Sequence, residues 1–345
     1  MYKYTHFIRQ NTAPPGAKRI VALDSSVKTA CAIPLGGLTP PVGEKLYSFG
    51  LFVDIHIYPI AAVNWTPEAK FRRALTFLEE QGCAFCVQCG DFTNTGFTLD
   101  DSTTGLDTRQ FETYKTICGE HSIPVHGVCG NHESITNKAA YAVKNQRELL
   151  IQYTGNDYYY TIEQGDDLFI FAGQPDWNVV LSTEEFQWLR ETLEANRNRR
   201  CFAFIHSYLE EDSGDPMDYR ENSIFNDQYW GATNREAFMD LMAQYPNAIL
   251  FHGHSHTKYE CQQYDKTANY TERNGFKSVH VPSLSMPRFL DLENGKTTEC
   301  NDESQGYIVD VYPDGIHLRG WDFIANAPVP LGTLWIDIQA GEVMA

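Results

Sequence analysis

The stretch FHGHSHT (251–257) places His252, His254 and His256 within five positions, directly after an apolar run. Four other segments end an apolar run in the same way. GLFVDIH (50–56) closes on Asp54 and His56, AFCVQCGD (84–91) on Asp91, IPVHGVCGNH (123–132) on Asn131 and His132, and CFAFIH (201–206) on His206. Every one of these closing side chains is an oxygen or nitrogen donor. Leaving out His132 and His252, the set is two carboxylates, four imidazoles and one amide. That is too many donors for one ion and about right for two ions sharing a bridging carboxylate. Asp54 and His56 are two positions apart, as are His254 and His256, so in an extended segment each pair faces one side and presents two ligands to one place.

Taken singly, each donor has a plainer explanation. His206 at the end of an apolar strand reads as a core histidine, Asp91 after Gly90 as a turn or helix cap, and Asn131 as a left-handed turn residue. The metal reading fails only if all of these hold together. His252 shares the alternation of His254 and His256, but nothing requires it as a ligand, and it is placed in the core or behind the ligands. His126 and His280, inside strand-like runs, read as structural.

The elements that must carry these residues are short apolar runs separated by helical patterns. Runs of four to eight apolar residues ending at Gly, Asp or Asn mark strands buried on both faces. Residues 66–82 read as a helix with Thr66 as N-cap, Pro67 at the first position and Gly82 as terminator. Residues 182–199 open with a capping box, Ser182 with Glu185, and 233–246 carry Phe238, Leu241 and Met242 on one face. Segments 157–163, 167–173 and 277–282 read as plain antiparallel strands, and GYIVDVY with GIHLRGW as a hairpin turning at Pro313-Asp314-Gly315. RIVALDSS and KTACAIPL suggest a further hairpin or arm. The alternation of strand and helix implies an α/β protein of two mixed sheets covered by helices.

The chain has 345 residues with 27 basic against 45 acidic, a net charge of −18. That balance disfavours the broad phosphate-backbone contacts of nucleic-acid binders, so an anionic substrate must be attracted locally. No apolar leader region opens the chain and no window of about 18 apolar residues occurs, so a soluble, cytoplasmic protein without membrane contact is the expectation. Nine cysteines, most of them in apolar runs, read as reduced thiols. Cys83, Cys86 and Cys89 have a spacing similar to an iron–sulfur ligand run, but strand alternation turns Cys86 away from the other two, which favours core placement. Oligomeric state is not legible.

DIH (54–56), GDFTN (90–94), GNHE (130–133), the histidine closing CFAFIH and GHSH (253–256) resemble, in order, the five signature blocks of calcineurin-like metallophosphoesterases. The resemblance implies a four-layer αββα sandwich of two mixed β-sheets flanked by helices over residues 46–345, with residues 1–45 as an arm or hairpin packed on it. It implies one ion held by Asp54, His56, Asp91 and His256, and a second held by Asp91, Asn131, His206 and His254. His132 matches the family's non-ligand histidine, which contacts the phosphoryl oxygen and protonates the leaving group. Glu133 stands where the family usually has Asp, one methylene longer, and bears on the orientation of His132; both are assigned to catalysis. Asn94 is a familiar alternative to Asp in the second block.

The implied activity is hydrolysis of a small phosphomonoester or phosphodiester by in-line attack of a metal-bridging hydroxide. Oxygen and imidazole ligands without thiolate suit manganese, iron or zinc. Two divalent ions, two carboxylates and a hydroxide leave a local charge of about +1, enough to draw a phosphate ester to an acidic protein. Two other functions compete. A catalytically inactive scaffold of the same family would have lost ligands, and the set here is complete; a nuclease would need a basic track beside the metals. Specificity is assigned to loops 92–110 and 207–232, with the acidic stretch 209–221 as a lid or a solvated loop, and Ser283 and Arg288 lie where the chain can return past the site.

Overall fold

The computed structural model describes residues 19–24, 27–31, 43–58, 65–95, 98–99, 106–133, 146–173, 181–206, 232–261, 269–273, 275–291 and 296–338. The acidic stretch 209–221 lies outside these residues. Within them, two sheets are built from β1 (Arg19–Asp24), β2 (Val27–Cys31), β3 (Tyr47–Phe52), β4 (Cys86–Gln88), β5 (Val125–Gly127), β6 (Tyr159–Gln164), β7 (Asp167–Ala172), β8 (Cys201–Phe204), β9 (Ala248–His252), β10 (Tyr270–Arg273), β11 (Phe276–His280), β12 (Gln305–Tyr312), β13 (Gly315–Asp322), β14 (Ala327–Pro328) and β15 (Leu334–Asp337). The first sheet has the order β14-β13-β12-β3-β4-β5, with β15 also on β13. The second has the order β1-β2-β10-β11-β9-β8-β7-β6.

Period-two side-chain alternation sorts each strand between two interiors. Phe49 and Leu51 of β3, Phe202 and Phe204 of β8, and Ile249 and Phe251 of β9 point between the sheets. Phe52 of β3 points the other way, onto Phe71, Leu75 and Leu78 of helix α1 (Pro67–Glu80) and Phe111 of α2 (Arg109–Gly119). Cys201 and Ala203, with Ala248 and Leu250, face Leu189 and Leu193 of a helix over Thr183–Ala195, and Phe238 of another over Ala232–Met242. Three apolar interiors between four layers, helix, sheet, sheet and helix, are the result. Phe49 stacks on Phe85 and meets Phe169, Phe202, Phe204 and Phe251 edge-on. Each such burial contributes about 1.5–3 kcal/mol before packing terms.

The two sheets are also pinned where the strands begin. Asp167, at the head of β7, accepts two bonds from Arg200 at 2.9 and 2.6 Å and one from Tyr47 of β3 at 2.5 Å. Arg200 then reaches across to the carbonyl of Tyr312 on β12.

The helix signals hold. Thr66 Oγ1 accepts the Ala69 amide, Pro67 opens α1 and Gly82 follows it at φ +70°. Ser182 Oγ accepts the Glu185 amide, but the Glu185 carboxylate accepts no hydrogen bond, so the capping box is half made. Strand direction differs from expectation in two places: β7 pairs in parallel with β8, and β11 in parallel with β9, each being antiparallel to its other neighbour. The segments 19–24 and 27–31 form an antiparallel hairpin whose second strand joins β10 at the edge of the second sheet. Cys83 precedes β4 instead of lying in it, and packs with Cys86 on the helix side while Cys89 lies between the sheets. Burial pushes the Cys83 thiol up to about 12 and those of Cys86 and Cys89 well above the usual range, which leaves all three unreactive.

Candidate metal centre

Five parallel strands deliver the donors. In the first sheet β3, β4 and β5 lead into Asp54–His56, Gly90–Asn94 and Gly130–Glu133; in the second, β8 and β9 lead into His206 and Gly253–His256. All these ends lie where open α/β sheets bind ligands, beyond the carboxyl ends of the strands. Val53 forms a parallel bridge to Ser283, and Ser283 Oγ donates to the Asp54 carbonyl at 3.0 Å, so the chain returning from β11 fastens the second sheet to the first beside the donors.

The paired donors converge, but not through extended backbone. Asp54 (φ 55°), His56 (49°), Asp91 (54°), His254 (75°) and His256 (60°) are all left-handed, and Asn326 is the one other non-glycine residue in that region among the described residues. Each such conformation costs about 1–3 kcal/mol and persists only where its surroundings impose it. Asn131, expected as a possible left-handed turn residue, is not among them. Close packing also explains two glycines of the motifs. A Cβ on Gly90 would sit 2.5 Å from the His206 ring, and one on Gly130 would sit 2.2 Å from Asp91 Oδ1.

Both carboxylates use one oxygen on the backbone and aim the other at histidines. Asp91 Oδ1 accepts the His132 amide at 2.8 Å, and Asp91 Oδ2 lies 3.1 Å from His206 Nε2 and 3.7 Å from His56 Nε2. Asp54 Oδ2 accepts the His254 amide at 3.2 Å, while Oδ1 lies 3.5 Å from His256 Nε2 and 3.7 Å from His56 Nε2. On one side His56 Nε2 and His256 Nε2 are 3.1 Å apart; on the other His206 Nε2 is 3.0 Å from His254 Nδ1 and 3.1 Å from Asn131 Oδ1. All seven predicted ligands are therefore gathered, in two groups that share Asp91.

These contacts test whether a cation fits. Asp54 Oδ1 is buried with no hydrogen-bond partner. His206 Nδ1 faces the Cys89 carbonyl at 2.8 Å and so carries a proton, while Nε2 faces the lone-pair oxygens of Asp91 and Asn131, a gap that must hold either a second proton or a cation. Converging lone pairs repel unless positive charge lies between them. The titration behaviour shows the same demand: burial alone would lower His206, but the Asp91 carboxylate outweighs it and lifts His206 to about 9. Burial raises Asp91, and His206 and His132 reverse that to hold it well below the usual carboxylate range. Burial pushes His254 and His256 down, with Arg288 reinforcing the effect on His256, so both present neutral nitrogen donors. The residues fit a divalent cation.

His132 and Glu133 do different things. The His132 ring, 27% exposed, meets His56 edge-on at 4.6 Å, and its Nδ1 is held by the main-chain carbonyl of Asn94, not by Glu133. Glu133 is buried beneath the loops, where Oε2 accepts from Asp91 N and Gly130 N and Oε1 from Thr93 N and Thr93 Oγ1. Burial and the Asp91 charge push its carboxyl up to about 7. The Asn94 carbonyl was invisible to sequence reasoning, because no side chain marks it. Arg288 donates its amide to the His256 carbonyl at 2.8 Å and its side chain is partly exposed, which places it at the rim.

The fold is a sandwich of two mixed sheets with an aspartate–histidine cluster beyond its parallel strands. The calcineurin-like phosphoesterase family model matches residues 48–258, and the chain belongs to that family. No curated protein matches it. Among solved structures it is similar to a dimetal phosphatase from Danio rerio, at 15% identity and TM-score 0.56, covering 86% of this chain and all 100% of that one. It is also similar to PhoD, at 11% identity and TM-score 0.52, covering 88% of this chain and 74% of that one. At these identities the likeness shows the fold. No helix among the described residues is long and apolar enough to cross a membrane.

Proposed function

We propose that this phosphoesterase is dinuclear, with Asp54, His56, Asp91 and His256 holding one ion and Asp91, Asn131, His206 and His254 the other. The observation that carries the reading is Asp91 Oδ2, which lies within 3.1 Å of His206 Nε2 and 3.7 Å of His56 Nε2, so that one carboxylate oxygen serves both groups. When bound, two divalent ions supply Lewis-acid stabilisation of phosphoryl oxygens and acidify a neighbouring water.

The chain's own residues orient and move protons. Asp54 and Asp91 are fixed by the backbone amides they accept, and His206 by the Cys89 carbonyl, so the donors need no rearrangement to bind. Because the Asn94 carbonyl only accepts, His132 Nδ1 keeps its proton, and a second proton on Nε2 makes the imidazolium that protonates the leaving-group oxygen. Glu133 positions the loops and touches no substrate. A site with only two carboxylates against two divalent ions is locally positive, which supports a small phosphate ester as substrate despite the charge of −18. Manganese, iron and zinc suit the donors.

The test is hydrolysis of p-nitrophenyl phosphate and bis-p-nitrophenyl phosphate before chelation, after it, and after manganese is restored. Activity lost on chelation and regained with metal supports the enzyme, and the preferred ester separates monoesterase from diesterase. A fully loaded protein inactive on both esters would favour the scaffold.

A further inference from the structure

Ser255 stands between two left-handed residues, His254 and His256, and its side chain is buried. Its hydroxyl forms a 2.7 Å hydrogen bond with His280 Nε2, donates to Thr257 Oγ1 at 2.9 Å and accepts the Thr257 amide at 3.2 Å. His280 is the last residue of β11, opposite His252 in the parallel register, and is itself buried; its amide donates to the Asn269 carbonyl. We propose that His280 is a positioning residue for the metal ligands, fixing through Ser255 the turn on which His254 and His256 stand. The inference rests on the metal-centre reading above.

Two strained conformations one residue apart must be imposed from outside the turn. The His254 amide is tied to Asp54 Oδ2, and the His256 carbonyl to the Arg288 amide, which fixes the two flanks. The hydroxyl of Ser255 ties the centre to the neighbouring strand. Without that tie the centre of the turn is held only through its flanks, which lets the peptides around Ser255 shift and displaces Nδ1 of His254 and Nε2 of His256 within their groups. Burial holds His280 neutral, so the bond is a neutral one that persists across the working pH range.

The experiment titrates the metal-free full chain with Mn²⁺ alone and reads affinity by calorimetry. His280→Ala and Ser255→Ala are each expected to weaken Mn²⁺ binding about 10–100-fold. The double variant is expected to be no weaker than Ser255→Ala, because His280 acts through the Ser255 hydroxyl, which also holds Thr257. His280→Gln, whose amide reaches the Nε2 position, is expected to recover most of the loss. A His280→Ala protein that binds Mn²⁺ like the wild type, or losses that multiply in the double variant, would overturn the proposal. If His280→Ala does not fold, Ser255→Ala, which removes one oxygen, and His280→Gln carry the test, and Mn²⁺ binding by Ser255→Ala like the wild type overturns the proposal. Wild-type protein that takes up no Mn²⁺ defeats the metal-centre reading itself, whereas normal wild-type binding with unaffected variants defeats this inference alone.

Discussion

Glu133 Oε2 accepts the backbone N–H of Asp91 at 2.8 Å, so the carboxylate that ends the GNHE block holds the residue proposed to bridge the two ions. In Glu133→Gln one acceptor oxygen becomes an amide nitrogen facing backbone donors. Each buried amide left without an acceptor costs about 1–3 kcal/mol. The variant should show a lower urea midpoint and weaker Mn²⁺ binding. Unchanged values in both would mean that the loop does not depend on this carboxylate.

His132 should behave otherwise. It is held by the Asn94 carbonyl and stands 3.9 Å from Asp91 Oδ2, outside the two ligand groups. His132→Ala should keep its metal while kcat falls by roughly 10²–10⁴, the range for a lost general acid. Loss of metal in this variant would place His132 among the ligands, where its nearness to His56 and Asp91 also allows it to stand.

Glu185 gives the protein a pH dependence remote from the metal site. Burial lifts its carboxyl from the usual 4.5 to about 8, and the nearby Ser182 amide only softens that. A carboxyl raised in the folded state contributes stability that is complete below about pH 4.5 and is lost as pH rises through about 8, at up to roughly 1.4 kcal/mol per unit. Glu185→Gln should therefore gain on the wild type as pH goes from 5 to 8.5. Urea midpoints of the two proteins that move in parallel over that range would contradict this.

The Asp167–Arg200 pair lies at the heads of the strands, at the opposite end from the donors. Arg200→Met strands the buried Asp167 carboxylate and should cost about 3–5 kcal/mol. Tyr47→Phe, which removes one of its hydrogen bonds, should cost about 1 kcal/mol. Both should leave kcat of the folded protein unchanged, and a large loss of kcat in Tyr47→Phe would refute the separation of clamp from site.

The donors were legible because each ends an apolar run, and a run of that length that stops at Asp, Asn or His marks where a buried strand meets solvent. The Thr66 and Ser182 caps were legible because their signals lie within three residues. What the sequence hid depends on distant neighbours. The parallel partner of 276–280 is set by β9, nearly thirty residues earlier, and no local pattern reports it. The left-handed angles at Asp54, His56, His254 and His256 were misread as extended, because they are set by bonds to loops distant in sequence, such as Asp54 N and His56 N to the carbonyls of Gly90 and Asp91. The direction of Glu133 was equally hidden, since its four donors sit on three other residues, two of them some forty positions away in sequence.

The most direct measurement is metal content per chain in purified wild type and in Asp91→Ala, by elemental analysis after saturation with manganese and desalting. If Asp91 Oδ2 serves both groups, wild type should carry about two ions and Asp91→Ala essentially none. Two ions retained in Asp91→Ala would contradict the shared carboxylate, and with it the dinuclear centre as assigned.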